Sequence, residues 1–270
     1  MSKIESALLD IRGLDTLAAQ DTPIHRLDPR AKVVTALAFI AAVVSFGKYD
    51  LSGLVPLIVY PVAMIALADL PPGYLLGKLL IASPFAVIIG VFNPLLDRTI
   101  LMQIGPVRVS GGWISFASIL VRFFLTLSAA LILVSTTGFN AVCLALTRLK
   151  VPRVLTVQLM LLYRYLFVLA EEAARMVRAY SLRSVGGRRM PLRIFGSLIG
   201  QLLLRAMDRA HRIHTAMLCR GFDGEIHQIR PLKFRASDGA FVVAWSGFFL
   251  LARLFNAPQL LGQIVMGMSR

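Results

Sequence analysis

The chain has 270 residues, of which 57% are hydrophobic and 16% are charged, and its mean hydropathy is +0.74. Soluble domains contain about 45–50% apolar and about 25% charged residues. The composition therefore excludes an ordinary soluble domain, a disordered chain and a disulfide-stabilised scaffold, and it indicates an integral membrane protein with one sizeable water-exposed part.

The positive charge is concentrated in one stretch. The formal net charge is +15, and residues 139–236 contain 17 of the 29 Lys and Arg and 5 of the 14 Asp and Glu, a net +12. A basic block beside membrane spans usually lies on the cytoplasmic side, close to anionic lipid headgroups. Nucleic acid is the other common partner of a basic patch, but the sequence has no nucleic-acid-binding motif, so we expect membrane lipid and no nucleic acid as a partner.

The order of apolar and polar segments predicts about five membrane spans. Residues 1–32 form a polar leader without the apolar stretch and cleavage site of a signal peptide, and Asp28-Pro29 near its end is suited to begin a helix. Pro84 is expected to kink the third span, and residues 101–104 and 107–109 are expected to form a small β-hairpin before the fourth. The predicted spans are 33–46, 51–68, 75–92, 113–136 and 240–254.

Between the fourth and fifth spans the sequence predicts long amphipathic helices. Residues 154–163 are apolar for only ten positions before charged residues such as Arg164 and Glu171 follow. Apolar residues recur at three- and four-residue steps from Met160 to Val177, and a second helical pattern covers 192–219. The predicted fold is an all-α integral membrane protein with a cytoplasmic leader (1–32), transmembrane helices 1–4 (33–138), a cytoplasmic module of coupling helices (139–236), and a last transmembrane helix with a C-terminal tail (237–270).

Both amphipathic helices end in the same short pattern. Residues 175–187 and 212–224 match at five positions when they are aligned at an offset of 37, a short internal duplication rather than a solenoid repeat. The pattern is Arg, three residues, Ala, three residues, Arg, Ser or Gly, two residues, Gly. The matched pairs are Arg175 and Arg212, Ala179 and Ala216, Arg183 and Arg220, Ser184 and Gly221, and Gly187 and Gly224.

This pattern is suited to docking on a partner protein. Ala179 and Ala216 lie one helical turn before Arg183 and Arg220, where a small side chain lets another surface approach the helix closely. Arg at a helix C-terminus interacts favourably with the helix dipole and offers a planar fork of five donors to a carboxylate. A glycine that follows lets the chain leave the helix in a left-handed conformation. Arg before a glycine cap is also common without any partner, so the residues alone leave docking and ordinary capping both open.

Three segments resemble the T subunits of energy-coupling factor transporters. Residues 24–32, Ile-His-Arg-Leu-Asp-Pro-Arg-Ala-Lys, resemble the start of the first span in that family. Residues 216–224, Ala-Met-Leu-Cys-Arg-Gly-Phe-Asp-Gly, resemble its second Ala-Arg-Gly motif, and Leu182-Arg183-Ser184 lies where the first motif belongs. The resemblance covers about residues 20–255 and is closest to the T subunits of cobalt (or nickel) importers. Leu182 and Cys219 depart from the family, which usually has Ala at both positions. The packing around the arginine is therefore expected to differ between the two helix ends.

The resemblance implies a non-enzymatic scaffold in the bacterial inner membrane that transmits the motion of ATPase subunits to a membrane protein that binds the substrate. The implied partners are two ABC-type ATPase subunits, a metal-binding membrane subunit of the CbiM type and a small accessory membrane subunit of the CbiN type. ATP and Mg would be held by the ATPase subunits, and this chain would bind no cofactor. The implied ATPase-docking residues are Arg183, Ser184, Arg220, Gly221, Ala179 and Ala216.

Other functions receive less support from the residues. A stand-alone transporter usually carries several ionisable residues inside its spans, whereas Arg122 is the main one here. A T subunit of a vitamin importer shares the scaffold and stays open as an alternative.

The sequence predicts no catalytic and no metal site. It contains no phosphate-binding Gly-x4-Gly-Lys-Ser/Thr motif and no recognisable nucleophile with a base. Asp208, His211 and His214 have the spacing of metal ligands on a helix, but the arginines around them repel a cation.

The charge distribution generates a prediction of topology. We expect residues 139–236 to face the cytoplasm and Arg270 to face outside, because the +12 block and the basic residues of the leader then lie on the same side. The test is single-cysteine labelling with a membrane-impermeant reagent after replacement of Cys143 and Cys219. A cysteine at position 270 should be labelled in intact cells and one at position 188 should not. Labelling of position 188 in intact cells would contradict the orientation.

Overall fold

The described part of the chain is almost entirely helical, which confirms the predicted fold class. A computed structural model describes residues 13–48, 50–96, 100–104, 107–184, 191–224, 226 and 234–254. The helices are α1 (Pro29–Val44), α2 (Val59–Leu67), α3 (Pro72–Leu96), α4 (Gly111–Thr137), α5 (Phe139–Arg148), α6 (Arg153–Arg183), α7 (Leu192–Cys219) and α8 (Ala236–Leu254). Two short 3₁₀ helices, Ser52–Leu54 and Pro56–Ile58, precede α2.

The predicted β-hairpin is present between α3 and α4. Strands β1 (Ile100–Ile104) and β2 (Val107–Ser110) pair antiparallel. Pro84 lies inside α3, and the helix continues past it to Leu96.

Among the described residues, four helices are long and apolar enough to cross a membrane. They are Pro72–Pro94, Gly111–Thr137, Arg153–Arg183 and Ala236–Leu254. Three of them coincide with predicted spans, whereas the first two predicted spans form shorter helical segments, Pro29–Val44 and Ser52–Leu67. The sequence analysis placed α6 outside the spans because of the charges in its C-terminal half. The helix as a whole nevertheless qualifies as a candidate span by length and composition.

The chain divides into two compact units. Among the described residues, 17–138 and 234–254 form one unit, here called the membrane unit, and 13–16 and 139–226 form the other, here called the arm unit. The membrane unit contains α1–α4, the hairpin and α8. The arm unit contains α5, α6 and α7.

An aromatic cluster forms the centre of the membrane unit, where α1 packs against both α4 and α8. The ring of Phe39 on α1 lies 4.5 Å from that of Tyr60 and 5.3 Å from that of Phe249, measured between centroids. Trp245 contacts Tyr60 edge-on at 4.9 Å. Edge-to-face and tilted pairs of this kind are worth about 0.5–1.5 kcal/mol each beyond the burial of their area. The cluster therefore ties α2 and α8 to α1.

Two buried carboxylates organise the starts of α1 and α8. Asp28 caps α1 as predicted, because its Oδ1 accepts a hydrogen bond from the Arg30 backbone N at 2.8 Å. Asp238 in the first turn of α8 accepts from the Arg235 backbone N at 2.7 Å through Oδ2 and from the Asp28 backbone N at 3.1 Å through Oδ1. One carboxylate thus satisfies backbone donors at the beginning of both helices.

Lys32 joins the end of α4 to this arrangement. Its Nζ donates to the Thr136 carbonyl at 2.8 Å and to the His25 carbonyl at 3.3 Å. The carboxylates lie at helix N-termini and the ammonium at a helix C-terminus, so each charge has the sign that its helix dipole favours. We call Asp28, Lys32, Thr136 and Asp238 the junction. It places the starts of α1 and α8 beside the end of α4.

Close approach of α3 and α4 depends on a glycine. A Cβ added to Gly90 would lie 2.7 Å from Cδ2 of Phe116, inside the ordinary contact distance. Further along α4, Arg122 donates through Nη2 to the Gly47 carbonyl. The main ionisable residue of the predicted spans thus has a backbone carbonyl as its partner.

We predict that Gly90→Val lowers the free energy of unfolding by about 1–3 kcal/mol, the usual effect of forcing extra volume into a packed interface. The measurement is thermal or denaturant unfolding of the purified protein in detergent. Gly77→Val is the matched control, since Gly77 lies in the same helix and a Cβ there meets no atom within 4 Å. Equal effects of the two substitutions would contradict the close contact at Gly90.

Candidate docking site

The helices of the arm unit leave most of their surface uncovered. None of the 28 residues of α7 is buried. Large apolar side chains on both helices are exposed, for example Leu162 at 62%, Leu204 at 65% and Met207 at 62%. Helices that expose many large apolar side chains usually contact another protein or lipid.

The predicted docking residues of the first helix lie at the C-terminal end of α6. Arg183 is the last helical residue, and Ser184 follows in an extended conformation with its backbone N donating to the Tyr180 carbonyl at 3.0 Å. Ala179 and Arg183 are exposed. The matching Gly187 lies outside the described residues.

The second helix end has a well-defined glycine cap. Arg220 follows the last residue of α7, and Gly221 has a φ of +77°. The Gly221 backbone N donates to the Leu218 carbonyl at 3.0 Å, and the Phe222 backbone N donates to the Met217 carbonyl at 3.0 Å. These two bonds are those of a Schellman motif, in which glycine takes the left-handed position. The cap fixes the backbone on both sides of Arg220 and leaves its side chain, like that of Ala216, exposed.

The two helix ends therefore share their chemistry but not their local geometry. Arg183 lies within its helix, whereas the equivalent Arg220 lies one position beyond its helix. The duplicated sequence pattern gave no sign of this difference, because helix boundaries depend on which carbonyls find donors after the last turn.

An apolar groove lies between α6 and α7. Its volume is about 420 Å³. It joins the N-terminal half of α6 to the C-terminal end of α7, so the two helices run in broadly opposite directions and Arg183 and Arg220 lie towards opposite ends of the pair. The lining residues include Leu161, Leu162, Tyr165, Met217 and Phe222.

A buried carboxylate connects the two helices beside this groove. Glu172 on α6 is 7% exposed, and its Oε2 lies 2.6 Å from Nη2 of Arg209 on α7. Its Oε1 lies 3.3 Å from Nη1 of Arg205. The sequence analysis missed this contact, because the pairing partners lie more than thirty residues apart in the chain.

The N-terminal half of α6 makes a second polar contact that the sequence analysis missed. The hydroxyl of Tyr163 donates to Oδ2 of Asp15 at 2.7 Å, and the ring of Phe139 stacks on that of Tyr163 at 4.4 Å. Within the arm unit these contacts fasten residues 13–16 and the start of α5 to α6.

The described residues contain no group of three or more His, Cys, Asp and Glu side chains that could hold a metal ion. Asp208 and His211 are exposed on α7, and His214 borders the apolar groove. The arm unit offers two arginine-bearing helix ends on helices with exposed apolar side chains.

Comparison with known proteins gives consistent matches. The family model for CbiQ, described as a cobalt transport protein, matches residues 20–230. The cobalt transport protein CbiQ of Rhodobacter capsulatus is 35% identical over 131 residues, which are 47% of this chain and 54% of that protein. The energy-coupling factor transporter transmembrane protein EcfT of Bacillus subtilis is 27% identical over 220 residues, 74% of this chain and 81% of that protein. EcfT of Limosilactobacillus fermentum is 27% identical over 264 residues, 87% of this chain and 94% of that protein.

We predict that the isolated chain binds cobalt or nickel no better than an ordinary protein with a few surface histidines. His211 and His214 lie among arginines, and the predicted spans contain no set of ligands. The measurement is a calorimetric titration of the purified chain with each metal. One tight site with a stoichiometry of one would contradict the prediction.

Proposed function

This chain belongs to the CbiQ family of cobalt transport proteins, and we propose that it is the coupling subunit of an ATP-driven importer. It is a multi-pass protein of the cell membrane and a transmembrane component of an energy-coupling factor type transporter. In the proposed division of labour, the chain neither hydrolyses ATP nor binds the transported ion. It transmits the motion of ATPase subunits to a separate membrane subunit.

The observation that supports this role is the pair of exposed arginines at the ends of α6 and α7. Two matched cationic ends favour two matched receivers, and the proposed receivers are two ABC-type ATPase subunits that hold ATP and Mg. Each guanidinium would enter a groove on one subunit and bond to carboxylate or backbone carbonyl oxygens there. Ala179 and Ala216, one turn earlier, would let the edge of the groove approach the helix, and Ser184 and Gly221 would lie at its mouth.

Two attachment points also explain how one chain could hold both ATPases. A desolvated arginine at an interface often contributes about 2 kcal/mol or more, which is roughly a thirtyfold change in affinity. Attachment at one end makes attachment at the other an intramolecular step, so the pair binds more tightly than either end alone.

The proposed cargo is cobalt or nickel, bound by another membrane subunit. The names of the CbiQ relatives support cobalt. The proposed membrane partners are a metal-binding subunit of the CbiM type and a small accessory subunit of the CbiN type, and the exposed apolar faces of α6 and α7 are the surfaces available to them.

The EcfT relatives favour a second candidate. They match this chain over more of its length than the Rhodobacter protein does. A T subunit with the same coupling role but a different substrate, such as a vitamin, would fit the same helix ends. Uptake assays of the purified complex with cobalt, nickel and vitamins would separate the two candidates.

The docking proposal predicts the effect of removing the arginines. Arg183→Ala and Arg220→Ala should each weaken capture of the ATPase subunits. Neither should abolish it, because the other helix end still binds. The double variant should be worse than either, since the gain from bivalent attachment is lost as well. Arg220→Glu should be worse than Arg220→Ala because it places like charges face to face. The measurements are pull-down of the ATPase subunits and ATP-driven metal uptake.

The control is Arg193→Ala, because Arg193 is an exposed arginine at the other end of α7 and lies outside both patterns. It should assemble and transport like the parental chain. If the double Arg183→Ala, Arg220→Ala variant also assembled and transported at the parental level, the helix ends would be ordinary caps and the docking proposal would be wrong.

A further inference from the structure

Glu172 lies where α6 and α7 meet, and both oxygens of its carboxylate contact arginines of α7. One oxygen bonds to Arg209 at 2.6 Å and the other to Arg205 at 3.3 Å, one helical turn apart on α7. The carboxylate is nearly buried, while the arginines extend to solvent with 30% and 57% of their side chains exposed. An ion pair of this kind is a directional contact on surfaces that are otherwise apolar.

The position of this pair matches the duplicated pattern. Glu172 is eleven residues before Arg183, and Arg209 is eleven residues before Arg220. At the offset of 37 that aligns the two helix ends, Glu172 and Arg209 are equivalent positions. The contact therefore joins the same position of the two copies. Each docking arginine lies about 16 Å beyond it along its own helix, at a rise of about 1.5 Å per residue.

Contact between equivalent positions is the signature of a two-fold arrangement. Around a two-fold axis, the residues that lie on the axis meet their own equivalents. Two glutamates meeting there would repel each other, whereas Glu172 and Arg209 attract. The antiparallel direction of α6 and α7 along their groove agrees with such an axis, since it sends Arg183 and Arg220 to opposite sides of the contact.

We propose that Glu172 is a positioning residue that fixes the register of α6 against α7 and thereby the distance between Arg183 and Arg220. The inference rests on the proposed docking of these arginines. It adds that the register set by Glu172 and Arg209 determines whether both arginines can be bound at the same time.

The role of the pair is to select one arrangement of the helices. Apolar contacts along the groove are non-directional, so the helices could slide by a turn with little change in buried area. Because the helices run in opposite directions, sliding by one turn would change the distance between Arg183 and Arg220 by about 5 Å, and the two arginines would no longer fit two grooves a fixed distance apart. Removing one partner of a buried pair leaves an uncompensated charge, which disfavours the native crossing.

The direct test measures the crossing in the full-length chain without ATPase subunits. Spin labels are placed at positions 181 and 218, both exposed, in a chain whose Cys143 and Cys219 have been replaced, and the protein is reconstituted in lipid nanodiscs. The parental chain should show one narrow distance distribution. Glu172→Gln should broaden or shift it. The charge-swapped variant Glu172→Arg with Arg205→Glu and Arg209→Glu reverses both contacts and should restore the parental distribution.

Asp208→Asn is the control, because it makes the same change from carboxylate to amide at an exposed position beside Arg209. It should leave the distance distribution unchanged. The proposal is overturned if Glu172→Gln keeps the parental distribution. It is also overturned if the charge-swapped variant either fails to accumulate in the membrane or keeps a broad distribution, since restored attraction is what the proposal requires.

A second measurement separates this inference from the docking proposal. In the assembled complex, Glu172→Gln should still capture ATPase subunits, because both arginines remain, but ATP-driven uptake should fall by about tenfold, within the usual range of coupling effects. Uptake at the parental level would overturn the inference. The double variant Arg183→Ala, Arg220→Ala could leave the complex intact while Glu172→Gln still broadens or shifts the distance distribution. In that case the docking proposal fails and the positioning of the helices by Glu172 stands.

Discussion

The carboxylate of Asp238 accepts backbone hydrogen bonds from the starts of two helices that are far apart in the sequence, and the packing of the membrane unit depends on this contact. A buried carboxylate needs donors, and the first turns of α1 and α8 need acceptors, so each requirement is met by the other. Lys32 adds the end of α4 through the Thr136 carbonyl. The directions of three helices follow: α1 and α8 leave the junction and α4 arrives at it. The helix ends that meet there are those that the positive-inside rule assigns to the cytoplasm.

The arm unit, unlike the membrane unit, buries little of its own surface. Its two long helices have few buried residues, and α7 has none. Helices that expose leucine and methionine along their length gain stability from surfaces that other molecules supply. A coupling element needs two sites and a part that can change position between them. In the proposed mechanism, the arginines at the helix ends form one site and the apolar faces form the other. Glu172 holds the helices between them in one crossing.

Local signals in the sequence predicted local features well. The bounds of α7, the cap of Asp28 on α1 and the left-handed Gly221 all follow from residue types within a few positions. Contacts between distant segments could not be predicted from one sequence, and the role of Asp238 at the start of α1 is an example. The contact of Glu172 with Arg209 was also missed, although the two residues are equivalent at the offset of 37 that aligns the helix ends. The short helix α5 was missed, since ten residues give too little periodicity to separate it from its surroundings.

The central claim is that this chain couples ATPase subunits to another membrane protein and does not transport alone. Native mass spectrometry of the complex purified from its own membranes, without mutation or overproduction of single subunits, tests it most directly. The account predicts one copy of this chain with two ATPase copies and at least one further membrane protein. Purification of the chain without ATPase subunits, together with ATP-independent metal uptake when it is reconstituted alone in liposomes, would contradict it.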